Sequence, residues 1–513
     1  MFADPAFADA WSRLPDYLGQ HVIVSLTALA LGLAVSLPLS LYAVRRPHLR
    51  TVLLAAASIV QTIPGLALLA LFYPLLLGIA SLTAEYLGFD FSALGFLPSV
   101  LALALYSMLP VIRNTITGID GVDPALLRAA QGVGMTDRQS LFMVELPLAM
   151  PVIMAGIRTA AVWVIGTATL ATPIGQTSLG NYIFSGLQTQ NWVFVLFGCA
   201  AAAMLALAVD LLLSLIERGA ATRQRAPVIA GVAGIALVVA LALAPSLEAR
   251  KSGYVIGAKT FSEQYILAAL IGQRLQANGL SASPREGLGS SIIFDALAAG
   301  EIDVYVDYTG TIWANVMKRD DIMPRKETLA EVARWLKQER GIAFAGALGF
   351  ENAYALAMKR GEAERLGITS LADLARHAPQ MTIAGDYEFF GRPEWAAIRE
   401  TYGLDFKARR AMQAEFMYPA AGNEVDVISA YTSDGRIAQY DLVVLDDPQG
   451  VIPPYDAMLL VSPKRADDAV LLAALKPLAN AIDVETMREA NLRASSGEAP
   501  EQVARWLANR LRK

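Results

Sequence analysis

Two architectures are predicted in one chain: an all-α polytopic membrane domain in the first half and an α/β domain in the second. Three observations predict them. Of 513 residues, 55% are hydrophobic and only 17% charged, more apolar than soluble globular composition. That excess is confined to residues before 250, where apolar runs of about 20 residues, enough to cross a bilayer as helix, recur with short polar breaks. From Tyr254 onward short β-rich runs alternate with helical stretches.

Membrane helices are expected at 20–43, 51–78, 96–117, 148–171, 191–216 and 227–247. Residues 1–225 then form the main membrane domain, 226–253 its sixth helix and a linker, and 254–513 the second domain. Arg45, Arg46 and Arg50 follow the first span; Arg113, Arg128 and Arg138 lie at or beyond the end of the third; Arg218, Arg223 and Arg225 follow the fifth. Loops 79–95 and 172–190 contain no Lys or Arg. The positive-inside rule therefore puts the three basic loops in the cytoplasm, with the N-terminus and everything after the sixth span outside. Arg158 falls inside the fourth span, where it either snorkels toward the cytoplasmic end or lines the pathway. Pro64, Pro74, Pro110 and Pro173, near or within spans, are a weak sign of broken helices around a cavity.

The N-terminus has two acids before its first Arg and no basic stretch ahead of an apolar core, so it does not read as a cleavable signal peptide. One cysteine, Cys199, excludes an intramolecular disulfide. A net charge of −5 gives no reason to expect nucleic acid, and three scattered histidines give none to expect a metal site. No Gly-x-x-x-x-Gly-Lys-Ser/Thr loop is present, so the chain is not expected to be an enzyme.

Between the third and fourth spans lies DPALLRAAQGVGMTDRQSLFMVELPLAMP. Asp123 caps a helix opened by Pro124 and closed at Gly132 or Gly134, and Thr136 with Gln139 makes a capping box for a second helix running to Pro147. Arg128, Ala129, Ala130, Gly134 and the run Val144-Glu145-Leu146-Pro147 resemble the EAA loop of permease subunits in ATP-binding-cassette (ABC) importers, with Arg128 where that family most often has Glu. The resemblance implies a type I importer permease whose loop docks on a separate ATPase. ATP and magnesium would belong to that partner, leaving no cofactor on this chain. Six helices make half a pore in this family, which implies a homodimer.

In the second domain, strand YVIGA leads to Lys259, and Thr260 with Glu263 is expected to cap a helix with its apolar face at Ile266, Leu267, Leu270, Ile271 and Leu275. Gly287–Ser291 opens another helix, followed by the strand IDVYVDY. The stretches GAKTFSEQYIL, GLGSSIIFDALAAGEIDVYVDYTGT, LGFENAYALAM, YEFFGRPEW, DVISAYTSDGRIAQYDLVVLDD and IPPYDAML resemble the binding proteins of osmoprotectant importers for glycine betaine, choline and related quaternary amines. That resemblance implies a type II periplasmic-binding-protein fold: lobe 1 from about 254–352 plus 457–513, and lobe 2 from 353–456. Thr432-Ser433 stands where relatives commonly have Ser-Thr.

A trimethylammonium group has no N–H to donate, so its charge is met by aromatic faces. By resemblance the aromatic box falls on Tyr308, Tyr354, Tyr431 and Tyr455, while Lys259, Arg392 and Thr311 meet a carboxylate. Asn352 and Glu388 are expected to orient those groups. Phe261, Phe389, Phe390 and Tyr305 read as packing, and Trp313 as either packing or site. The expected function is the fused permease and binding subunit of an importer for a betaine-like zwitterion, in the cell inner membrane. Ergothioneine, choline and carnitine are alternative cargoes; a membrane-anchored sensor is the alternative class.

Overall fold

Apolar stretches in lipid form helices because each backbone N–H must find its acceptor within the segment. The computed structural model describes residues 5–88, 91–188, 191–248, 253–319, 321, 323–386 and 389–511. Its first half is α1 (Pro5–Ala43), α2 (Pro47–Thr62), α3 (Gly65–Leu87), α4 (Phe96–Asp120), α5 (Pro124–Gly132), α6 (Asp137–Ser140), α7 (Leu146–Ala168), α8 (Gly180–Gln188), α9 (Trp192–Thr222) and α10 (Arg225–Glu248). Among the described residues five helices are long and apolar enough to cross a membrane, and the bent pair α2–α3 brings the number to six. The centre of this unit is α4, largely buried and packed on α1 and α7.

The single span expected at 51–78 is this pair, bent by 100°. Pro64 is the cause: it lacks an N–H and disfavours helical backbone at the residue before it. Ile63 is accordingly extended, at φ −74° and ψ 127°, and its carbonyl accepts the Tyr106 hydroxyl. Pro74 and Pro110 lie inside continuous helices, and Pro173 in the short turn Thr169–Ile174 that follows α7. Arg158 meets acids of its own within the helical unit. Its Nε and Nη2 donate to the Asp210 carboxylate at 2.8 Å each, and its Nη1 to Glu217 at 3.0 Å, clamping α7 to α9.

Between α4 and α7, Asp123 accepts the Ala125 N–H and caps α5, and the Thr136–Gln139 capping box starts α6. Gly134, at φ +83°, makes the bend between them, a conformation other residues adopt only with strain. The second helix does not stop at Pro147 as expected. It passes through one π turn, Leu141–Glu145, into α7, because Pro147 falls in the first turn, where a missing N–H costs little. Arg128, Ala129 and Pro147 are exposed, Leu146 is half-buried, and Ala130 is buried. Glu145 is the anchor: buried, it accepts Arg45 Nη2 at 2.8 Å and Ser140 Oγ at 2.9 Å.

A second unit is formed by the residues after 252. Ten strands, β1 (Tyr254–Lys259), β2 (Ala282–Leu288), β3 (Val304–Tyr308), β4 (Ala343–Glu351), β5 (Tyr354–Lys359), β6 (Thr382–Gly385), β7 (Ala408–Ala411), β8 (Val427–Tyr431), β9 (Leu442–Val444) and β10 (Asp456–Val461), make two five-stranded sheets. One runs β2-β1-β3-β10-β4, the other β7-β6-β8-β5-β9. The chain crosses between them twice, after β4 and before β10, and the crossings are tied by Asn352 N–H to the Tyr455 carbonyl at 3.0 Å. Helices α11 (Ser262–Ala277) and α12 (Ser290–Ala298) belong with the first sheet.

Candidate ligand-binding cleft

The strand ends decide which side chains meet. Lys259 ends β1, Tyr308 ends β3, Tyr354 begins β5, Tyr431 ends β8, and Tyr455 immediately precedes β10. All five line one cavity of about 290 Å³. In the antiparallel pair β5–β8, Tyr354 stands directly opposite Tyr431, which sets their ring centroids 5.0 Å apart. Tyr455 meets Tyr354 edge-on at 6.0 Å. Gly310 admits this ring: a Cβ there would come 2.5 Å from Tyr455 carbons. Tyr308 approaches from the first sheet and stacks on Phe261 at 6.2 Å, and Phe261 both packs against the core, as expected, and lines the cavity.

Thr311 and Asn352 also line the cavity, as do Lys259 and Arg392, but each of these two cations already holds an acid. Lys259 and Asp307 form an ion pair only 3% and 1% exposed. Arg392 Nη2 donates to Glu394 at 3.0 Å and to the Tyr455 hydroxyl oxygen at 2.8 Å, and its guanidinium lies 5.0 Å from the Tyr354 centroid. Glu388 lies outside the described residues. Phe389 is wholly buried and Phe390 packs against the same core. Trp313 is core, its N–H donating to the Asp321 carbonyl at 2.8 Å, and Tyr305 is fully buried with its hydroxyl on Asp307.

Sequence reasoning missed the acids. Glu263 forms no capping box, because α11 starts one residue after Phe261 and the carboxylate turns inward instead. There, 2% exposed, it accepts the Tyr308 hydroxyl, Asn352 Nδ2 at 3.1 Å, Asn491 Nδ2 at 2.8 Å and Ser433 Oγ at 2.6 Å. These donors come from both sheets' segments, one crossing and the helix Val484–Ser495. Burial pushes the Glu263 carboxyl above its ordinary value, and the four hydrogen bonds pull it back only in part. Asp386 accepts the Tyr431 hydroxyl at 2.6 Å and the Phe389 N–H at 2.9 Å. Burial, reinforced by these neighbouring acids, raises the Tyr308 and Tyr431 phenols well above their ordinary value, so both stay hydroxyl donors. The one available signal was an acid inside each tyrosine-bearing or neighbouring motif: FSEQ, GDYEFF and RPEW.

A helical membrane unit continuous with a two-sheet domain around a tyrosine-lined cavity defines a transport subunit that carries its own binding domain. The chain belongs to the ABC-type import family. Residues 253–509 match the substrate binding domain of ABC-type glycine betaine transport systems, and residues 30–222 the inner membrane component of binding-protein-dependent transport systems. It is thus a permease fused to a substrate-binding domain, with a transport rather than a catalytic role. It is similar to the ergothioneine transport permease/ergothioneine binding protein EgtU of Helicobacter pylori, 28% identical over 90% of this chain and 84% of that one. It is also similar to the glycine betaine/carnitine/choline transport permease OpuCB of Bacillus subtilis, 40% identical over 39% of this chain and 85% of that one. A solved glycine betaine/carnitine/choline ABC transporter structure is 27% identical, with a TM-score of 0.46 over 50% of this chain and 98% of that one.

Proposed function

We propose that the chain imports a small zwitterion pairing a quaternary ammonium with a carboxylate, of the glycine betaine kind, powered by a separate cytoplasmic ATPase. The observation that carries this reading is the convergence of Tyr308, Tyr354, Tyr431 and Tyr455 on one cavity. Aromatic faces at van der Waals range attract a methylated ammonium that offers no hydrogen-bond donor. Thr311 supports the carboxylate end, with Arg392 and Lys259 adding positive charge that their acid partners partly offset.

The cavity lies on the outer side of the membrane, as the distribution of Arg between loops supports. Two copies of the chain form the pathway. The loop holding Arg128, Ala129, Ala130, Gly134, Leu146 and Pro147 receives the motion of the ATPase, and the anchored Glu145 passes it to α1 through Arg45. Tethering the binding domain keeps it at about millimolar effective concentration beside its permease and removes the search step. A second cargo, ergothioneine, is favoured by a relative that shares the fused layout across most of both chains.

Uptake of labelled betaine into proteoliposomes tests the reading. Accumulation that requires both this chain and a co-reconstituted ATPase is expected. Binding without accumulation, with the ATPase present, would instead make the chain a sensor.

A further inference from the structure

Three of the four cavity tyrosines share one arrangement. The Tyr308 hydroxyl donates to Glu263, that of Tyr431 to Asp386 at 2.6 Å, and that of Tyr455 to Glu394. The three acids are 2%, 8% and 2% exposed. Glu263 and Asp386 line the cavity beside the rings they hold, whereas Glu394 is not part of its lining, and the three come from different elements: the start of α11, the residue after β6, and the helix Pro393–Tyr402. Packing alone does not ask for this, since a buried phenol is satisfied equally by a carbonyl, as Tyr106 is by Ile63 and Tyr182 by Ala10 elsewhere in the chain.

We infer that Glu263, Asp386 and Glu394 are positioning residues that tune the tyrosines to select a permanent cation. This rests on the proposed betaine-type cargo and says how the site would prefer it. A hydrogen bond from a phenol to an ionised carboxylate is short and strong, and it draws positive charge toward the hydroxyl proton while leaving the ring face richer in electrons. A richer face attracts a cation more strongly, and the carboxylate's own field adds to that attraction at Glu263 and Asp386, while Arg392 offsets the field of Glu394. The donor set of Glu263 favours the ionised form against the burial that opposes it: the Asn352 and Asn491 amides each donate to one of its oxygens, and the two hydroxyls complete the shell. Ser433 adds a consequence. It follows β8 of the second sheet while Glu263 opens α11 of the first, so the same carboxylate that orients Tyr308 also bonds across the two lobes.

The test separates charge from shape. Full-length protein in lipid nanodiscs is titrated with glycine betaine, proline betaine, carnitine and ergothioneine. The tightest of these is then compared with its uncharged analogue, in which carbon replaces the quaternary nitrogen. Wild type is expected to prefer the charged ligand at least a hundredfold. Glu263→Gln, Asp386→Asn and Glu394→Gln keep side-chain size and are each expected to reduce that preference three- to tenfold, with affinity for the uncharged analogue little changed. Tyr431→Phe, which keeps the ring and cuts its link to Asp386, should reduce the preference similarly, and it stands in should an acid variant not fold. Equal losses for both ligands would mark the acids as structural only. A preference unchanged within twofold in the acid variants and in Tyr431→Phe would overturn the inference while leaving the betaine cargo intact. Failure of wild type to bind any betaine would remove the cargo assignment and this inference with it.

Discussion

The Arg158 cluster of the membrane unit and Glu263 of the ligand cleft hold charge in opposite ways. In the membrane unit Arg158 meets two carboxylates, Asp210 and Glu217, and Glu145 meets Arg45. In the cleft Glu263 is held by two hydroxyls and two amides, and among the described residues no ion pair reaches it. A charge that must remain in lipid is matched within the protein, because the penalty of leaving it alone is permanent. Glu263 is held by neutral donors instead, unlike Asp307 and Glu394, which pair with Lys259 and Arg392, so its field stays open to an arriving cation. The comparison teaches that hydrogen-bond satisfaction and charge compensation are separate devices, and that the chain uses each where it serves.

The comparison breaks most visibly at Arg158. Arg158→Met leaves Asp210 and Glu217 without their cation and is expected to destabilise the membrane unit by about 3 kcal/mol, read as a fall in Tm of the full chain in nanodiscs. A loss below about 1 kcal/mol would show an exposed, weak pair instead. In the cleft, Tyr431→Ala removes the ring opposite Tyr354 and is expected to cost about 2 kcal/mol of betaine affinity, roughly thirtyfold in Kd. Its thermal stability without ligand should fall much less than that of Arg158→Met.

Coupling sharpens the comparison further. Glu145→Gln keeps a hydrogen-bond acceptor for Arg45 and Ser140 but removes the charge, at an expected cost of about 1 kcal/mol. Uptake should fall severalfold while ligand affinity holds; a change in affinity instead would contradict the separation of loop from cleft. The smallest effect concerns pH. Because burial raises the Glu263 carboxyl above its ordinary 4.5, the folded protein binds that proton more tightly than the unfolded chain. The associated stability is fully present below pH 4.5 and is lost as pH rises through the raised folded-state value. Relative to Glu263→Gln, wild type without ligand should therefore lose Tm as pH rises through that window; parallel curves would exclude a raised carboxyl.

Much of the fold was legible because hydropathy and alternation change character abruptly near residue 253, and because spans are dictated by a single requirement, backbone satisfaction in lipid. The bend at Pro64 was not, since Pro74 and Pro110 read the same in sequence and leave their helices intact. Local signals carried the loop: Asp123, the Thr136–Gln139 box and Gly134 act within a few residues of themselves. The cleft divides differently. The tyrosines were named by motif, and the Tyr354–Tyr431 strand register brings two of them together. Glu263 was misread because a Thr and a Glu three residues apart imitate a helix cap, while its donors lie 45 to 228 residues away. The pairing of Lys259 with Asp307 was not legible either, because the two meet only after β1 and β3 lie in one sheet.

On the proposed reading, four tyrosines form a binding site for a zwitterionic quaternary amine. Calorimetric titration of the full chain in nanodiscs against glycine betaine, proline betaine, carnitine, ergothioneine and choline tests it most directly, with Tyr308→Ala beside wild type. Saturable binding of at least one carboxylate-bearing member, tighter than choline and weakened at least tenfold by Tyr308→Ala, is the predicted result. Undiminished affinity in Tyr308→Ala, or no binding of any quaternary amine by wild type, would contradict it.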